Sequence, residues 1–378
     1  MTFDSDTYNS YLTVNLTTIK ENIEKIRKGI GENTSIMAVL KGNAYGMGLV
    51  PIADYLANEC DIDAFACAHV HEAALLRKSG IDCEIFIMGG VPFHNIPVVV
   101  SLNIMTPAYS REYLTLLNSE AALQKKIVRV HIKVETGLNR IGVKPGIELD
   151  ELCVFLKDLQ NIEVCGAYTH FAESEAVDKA FTYFQLEQFK QGLNQIRHHG
   201  FSLPFIHAFN TAAVSWMRDT DITHIRIAGL IFGFDPCLAP VNGLDLVEVL
   251  EWNAFVTHVK TINPGETVGY NRAFIANSPT KVATISAGYG DGYARHLAAF
   301  LDAEVIVNGK RSKIIATCMD QMLIDVTGIA VKEGEIATLI GRNGDEYISV
   351  FELQSKMGQT YLAVASIIAE RVKRIYKR

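Results

Sequence analysis

The chain has 378 residues and a mass of 41.8 kDa, too long for one ordinary small domain unless part of it is a barrel of about 250 residues. Hydrophobic residues make up 49% and charged residues 20%, which excludes a disordered chain and suits a globular enzyme. A net charge of -7 with scattered lysines and arginines excludes the basic stripe of a nucleic-acid surface, and no segment approaches the roughly 18 apolar residues of a membrane span.

The N-terminal segment MTFDSDTYNSYLTVNL carries acids where a signal peptide needs a basic start, so the expected location is the cytoplasm. Thr18-Ile19-Lys20-Glu21 reads as a capping box, and Ile19, Ile23, Ile26 and Ile30 follow at helical spacing up to Gly31. Ile36–Leu40 is then apolar on consecutive positions, as a strand buried on both faces must be, and it ends at Lys41 and a glycine-rich turn. Similar strand and helix units follow at 64–68 with 70–79, 84–89, 127–134 with 147–160, 163–170 with 177–199, and 222–228.

This alternation predicts an α/β fold, an N-terminal (β/α)8 barrel over 1–242, whose strand C-termini carry the active site. From 243 to 378 the helical period disappears. The runs EVLEWNAFVTHVKTI, KVATISAG, AEVIVNG, KIIAT, MLIDV, EIATLIG and EYISVFEL predict a mostly-β domain, closed by one late helix near 360–370. The first dozen residues are expected to pack on this domain. Seven cysteines (Cys60, Cys67, Cys83, Cys153, Cys165, Cys237, Cys318) form no CxxC pair and read as reduced thiols. No His/Asp/Glu cluster has metal-ligand spacing, and His71-Glu72 lacks the second histidine of HExxH, so no metal is expected.

AVLKGNAYGMG sets a lysine, a tyrosine and two glycines in one strand-to-helix turn, offering an amine, a phenol and open backbone amides to an anionic cofactor. A lone lysine there is more often a solvated surface residue. The segment resembles the cofactor-lysine signature of the alanine racemases, with Gly42 and Met47 departing from it. Further family segments recur in order: HIKVETGLNRIGV, YTHFAES, HAFNTAAV, IRIAGLIFG, GETVGYNRAF, AGYGDGY and CMDQ.

The resemblance implies pyridoxal 5'-phosphate held by Lys41 as a Schiff base, and racemisation of L- and D-alanine by two bases, Lys41 and Tyr270 of the partner subunit. It implies a head-to-tail homodimer with shared sites. Arg226 would face the pyridine nitrogen, where its fixed proton keeps that nitrogen unprotonated and disfavours transamination. Arg140 would touch the cofactor phenolate and the substrate carboxylate, and Lys133 is a candidate for carbamylation beside it. His170 would lie against the cofactor ring, while Tyr45, Asn210, Thr211, Ala228 and Gly229 would hold the cofactor, chiefly at its phosphate. Met319 and Tyr289 would meet the substrate, with Asp320 bracing the Met319 loop.

The pattern breaks at Ala369-Glu370-Arg371-Val372-Lys373-Arg374, where Glu370 replaces the family's tyrosine in S-Y-R-V-P-R, and at Ala316, which replaces a corridor arginine. A second corridor arginine persists as Arg295. A more acidic approach leaves serine or a cationic amino acid such as lysine, ornithine or arginine as alternative substrates. The bland alternative pairs Glu370 with Arg371 or Lys373. A non-catalytic pyridoxal-phosphate carrier and a decarboxylase or aldolase on the same barrel are remoter readings, against which the β domain, Tyr270 and CMDQ argue.

Overall fold

The computed structural model describes residues 7–31, 33–235, 244–293, 303–357 and 360–378. The chain divides into two units, one made of Lys20–Ala44 and Leu49–Leu246, the other of Met1–Ile19, Tyr45–Gly48 and Val247–Arg378. Strand β1 (Ser10–Asn15) belongs to the latter.

In the first unit the apolar runs become β2 (Ser35–Val39), β3 (Ala64–Cys67), β4 (Glu84–Ile87), β5 (Thr106–Ala108), β6 (Val128–Lys133), β7 (Ile162–Tyr168), β8 (Phe205–His207) and β9 (His224–Ile227). They pair in parallel as β4-β3-β2-β9 and β5-β6-β7-β8. A parallel bridge between Phe86 and Met105 joins the two sets at one seam. At the other, Thr223 N–H donates to Ile206 O at 3.0 Å and Arg226 N–H to Phe209 O at 2.9 Å. Among the described residues, then, eight parallel strands close into a barrel. Strands covered on both faces carry no alternation, which is why β3 is buried at every position.

Helices cover the barrel. In Leu16–Ile30 the side chains of Ile19, Ile23 and Ile26 are fully buried. Its cap is not Thr18: Asn15 Oδ1 accepts from Thr18 N–H at 3.0 Å. Thr18 lies inside the first turn, and the residue just before the helix is the one that reaches a free N–H. The other expected helices are present as Val70–Lys78, Ile147–Lys157 and Ala180–His198. None of the helices among the described residues is long and apolar enough to cross a membrane.

In the second unit the long strand β10 (Leu250–Ile262) is central, followed by β11 (Thr267–Val268), β12 (Phe274–Ile275), β13 (Thr280–Ile285), β14 (Glu304–Val307), β15 (Lys310–Thr317), β16 (Met322–Asp325), β17 (Ile336–Asn343), β18 (Glu346–Ile348) and β19 (Lys373–Lys377). The main sheet runs β18-β17-β14-β15-β16-β13-β10-β1-β19, and β17 also pairs with β10. β1 lies antiparallel to β10 and parallel to β19.

The run EYISVFEL is strand only over its first part. Val350–Met357 is a helix, because Val350, Leu353 and Met357 bury one face and Lys356 reaches Glu352 at 3.3 Å across one turn. The helix expected near 360–370 is the shorter Tyr361–Ser366, capped by Thr360. Six cysteines are free, and Cys237 lies outside the described residues. Ile23→Ala is expected to destabilise the chain by about 2–5 kcal/mol in urea unfolding, whereas Leu123→Ala, 79% exposed, changes it by less than about 0.5 kcal/mol.

Candidate active site

Directly after β2 the backbone enters a left-handed turn, with φ of 64° at Gly42, 56° at Asn43, 52° at Ala44 and 54° at Tyr45. For residues with a Cβ this conformation costs about 1–2 kcal/mol each, so neighbours must impose it. Gly42 N–H donates to Glu72 Oε1 at 2.7 Å, Ala44 N–H to Leu40 O at 2.9 Å, and Leu49 N–H to Asn43 Oδ1 at 2.8 Å. Glu72 is buried, and its Oε2 also accepts from Ala68 and His69 N–H at 3.0 and 3.1 Å. One carboxylate thus ties the turn after β2 to the turn after β3. In the second unit, Arg374 Nε donates to Gly46 O at 2.9 Å and Tyr376 Oη to Met47 O at 2.8 Å, which holds the continuation of the same segment.

Lys41 opens this turn at the C-terminal mouth of the barrel. Solvent reaches its side chain, yet the atoms crowded around it desolvate the ammonium and lower its pKa; Arg140 and Arg226 lower it further, and Glu72 opposes them. The amine is therefore more available as a nucleophile than an ordinary lysine.

Arg226 projects from β9 and is 2% exposed. Nη1 donates to His207 Nδ1 at 2.8 Å and to His207 O at 2.7 Å. Nη2 donates to Thr169 O at 2.8 Å, Ala208 O at 3.1 Å and His170 Nδ1 at 3.1 Å. Both terminal nitrogens are committed, and Nε is the Arg226 donor with no partner among the described residues. Burial lowers its pKa to about 10, which still leaves it charged at neutral pH. His170 is held neutral, first by burial and then by Arg226, Arg140, Lys41 and Lys133. Since Arg226 donates to its Nδ1, the His170 proton sits on Nε2.

Lys133, at the end of β6, is 1% exposed, and burial lowers its pKa to about 8 against the pull of Glu135, whose carboxylate lies 3.8 Å away. Its Nζ donates to Val134 O at 2.8 Å and stands 5.5 Å from the Tyr168 ring centroid. Arg140, in the loop after β6, is exposed and has no ion-pair partner among the described residues. Thr211 and Asn210 follow β8, and Ala228 and Gly229 follow β9. Thr211 Oγ1 accepts from Ala228 N–H at 3.1 Å, and Asn210 Oδ1 caps Thr211–Trp216 through Ala213 N–H at 3.1 Å. Loops after the last two strands are where barrels of this kind hold phosphate.

In the second unit Tyr270 is 70% exposed in a short turn, and Met319 and Tyr289 are exposed too. Gly290 N–H donates to Met319 O at 2.8 Å, joining AGYGDGY to CMDQ. Arg371 braces both: Nε reaches Asp291 at 2.7 Å, Nη1 Asp320 at 2.8 Å and Nη2 Met319 O at 3.4 Å. This overturns its suggested pairing with Glu370. Two acids flanking a loop outcompete one neighbour along the chain. Glu370 is exposed without an ion-pair partner among the described residues. Ala316 is buried in an apolar cluster with Ile262, Val268, Ala276, Val282 and Ile315. Arg295 lies outside the described residues.

The sequence reading gave no site role to Glu72, Arg371, Asp291, His131 or His207. For Glu72, Asp291, His131 and His207 the signal is a buried charge or imidazole that the fold must satisfy, whereas Arg371 is exposed and matters through its two acidic partners.

Residues 14–236 match the family "Alanine racemase, N-terminal domain" and residues 249–376 the family "Alanine racemase, C-terminal domain". The chain is 33% identical over 366 residues to the alanine racemase of Methanococcus maripaludis, covering 96% of this chain and 97% of the relative. It is 33% identical over 377 residues to that of Halothermothrix orenii, covering 97% of each. The crystal structure of alanine racemase from Bacillus anthracis with bound L-Ala-P superposes with a TM-score of 0.92 at 31% identity, covering 98% of this chain and 96% of that one. With both domains matched and relatives aligned nearly end to end, a lysine at the mouth of a parallel barrel and a separate β-rich unit identify this chain as a member of the alanine racemase family.

Proposed function

We propose that this protein is a cytoplasmic pyridoxal-phosphate-dependent racemase that interconverts L- and D-alanine as a head-to-tail homodimer. The observation that carries this is Arg226: four terminal N–H groups are spent on protein acceptors while Nε–H is left for a ligand. The donor set around it fits the cofactor, because Lys41, Lys133, Arg140 and Arg226 crowd positive charge at one barrel mouth while Thr211, Asn210, Ala228 and Gly229 stand where phosphate belongs. When bound, pyridoxal phosphate supplies the electron sink that makes the α-proton of an amino acid removable.

The residues do the rest. Lys41 holds the cofactor through its amine and moves the α-proton at Nζ on one face; Tyr270 of the partner subunit does so at Oη on the other. Arg226 would present its Nε–H to the pyridine nitrogen and, unable to give up a proton, would leave that nitrogen unprotonated. His170 would lie against the ring, and Tyr45, Asn210, Thr211, Ala228 and Gly229 would hold the cofactor, the phosphate above all. Arg140 binds the substrate carboxylate, and Met319 offers its backbone amide from the partner, beside Tyr289. Glu370 is the one feature that favours serine or a cationic amino acid instead, as an exposed carboxylate without an ion-pair partner among the described residues. A panel of L-alanine, L-serine, L-lysine, L-ornithine and L-arginine decides; preference for a cationic substrate sinks the alanine reading.

Lys41→Ala is expected to lose the visible cofactor band and to lower racemisation at least about a thousandfold. Tyr270→Phe is expected to keep the band and lose about a hundredfold or more. If the sites are shared, equimolar Lys41→Ala and Tyr270→Phe chains allowed to exchange recover about a quarter of wild-type activity, since half the dimers then carry one intact site; no recovery argues against sharing. Carbamylation of Lys133 needs the unprotonated amine. With a pKa of about 8, modification seen by native mass spectrometry rises with pH through that value and with added bicarbonate; an unmodified lysine under alkaline bicarbonate refutes it.

A further inference from the structure

Behind the barrel mouth, Arg226 begins a line of hydrogen bonds that runs inward through two imidazoles. Its Nη1 meets His207 Nδ1 at 2.8 Å, and His207 Nε2 meets His131 Nδ1 at 2.8 Å. Both rings are 0% exposed. A guanidinium can only donate, so His207 Nδ1 is a lone pair and its proton sits on Nε2. That proton is donated to His131 Nδ1, which places the His131 proton on its own Nε2. The last nitrogen is buried and has no hydrogen-bond partner.

The surroundings of His131 are shaped for a flat ring and not for a charge. Phe86 stacks on it with centroids 4.4 Å apart, and Phe205 with centroids 5.2 Å apart. On the β7 side a Cβ at Gly166 would come within 2.8 Å of its Cγ and Cδ2. A phenylalanine would fill this slot at least as well and would remove the unpaired Nε2–H of His131, but it would leave the His207 Nε2–H without its acceptor. Shape alone therefore does not account for a histidine here. What an imidazole adds is an acceptor at Nδ1.

We infer that His131 and His207 are positioning residues for Arg226: a one-way string of N–H donors, ending at His131, fixes the guanidinium so that Nε–H keeps its aim at the cofactor ring. The last clause rests on the reading of the protein as a pyridoxal-phosphate racemase; the string itself does not. Arg226 cannot pass its charge inward, because every acceptor along the line is already filled by its neighbour's proton.

The test has two arms. In cofactor-free wild-type protein labelled with 15N-histidine, long-range 1H–15N spectra are expected to show His131 and His207 neutral and protonated at Nε2. A proton on Nδ1 of either ring overturns the string. In the holoenzyme, His131→Phe keeps the stacked ring and removes the acceptor, while His131→Asn keeps an acceptor oxygen near the Nδ1 position. The Phe variant is expected to lose about tenfold in kcat, the usual order for removing a partner that orients a functional group. Its ratio of abortive transamination to racemisation should rise, and the Asn variant should recover most of both. A Phe variant with unchanged kcat and ratio overturns the positioning role. Should His131→Phe fail to fold, His131→Asn together with His207→Asn decides, the latter being expected to raise the ratio. A wild type without racemase activity would instead defeat the functional reading, and the spectra would still judge the string.

Discussion

Arg226 carries a permanent charge into the interior of a parallel barrel, where an unsolvated ion costs several kcal/mol. Three backbone carbonyls and two imidazole lone pairs surround its terminal nitrogens, and they come from the ends of β7 and β8 and the residues just beyond. Thr169 O and Ala208 O lie just past strand ends, and His207 O has a second lone pair beside the one that takes Thr169 N–H at 3.3 Å, so the charge sits where the barrel itself can solvate it. Its consequences spread outward: it adds to the burial that holds His170 and His207 neutral, selects their tautomers, and adds to the burial and the Arg140 charge that depress the pKa of Lys41.

The second constraint is conformational. A left-handed turn from Gly42 to Tyr45 places Lys41 at its start, and Glu72 keeps the turn from relaxing by accepting three backbone N–H groups. The same carboxylate is a counter-charge for Lys41, partly offsetting the lowering of its pKa by burial and by Arg140, so one side chain bears on both the geometry and the basicity of the amine.

Much of this was legible in the sequence, and the gaps have physical reasons. Consecutive apolar residues gave away β2, β3 and β4 because strands buried on both faces cannot alternate. Strands β5 and β8 escaped notice because three residues, one of them Pro107, carry no period. The start of the first helix was misplaced by a capping-box pattern at Thr18 that Asn15 pre-empts. Lys41, Arg226 and Tyr270 stand in recognisable motifs, whereas Glu72 and Arg371 matter through partners distant in sequence, which spacing does not reveal. Glu370 could not be assigned a role from the letters because its neighbour Arg371 is engaged elsewhere, with Asp291 and Asp320.

The burial of Ala316 has a consequence for how this chain can change. A Cβ on Gly269 would lie 2.5 Å from the Ala316 Cβ, and apolar side chains close the rest of the cluster. A long charged residue at 316 must therefore thread past Val268, Ala276 and Ile315 or push them aside, at the cost of a buried charge or a cavity. The two positions are epistatic: whichever mutates first meets a partner shaped for its predecessor. An arginine at 316 thus needs its neighbours to repack with it, and the alanine is held in place by its own packing.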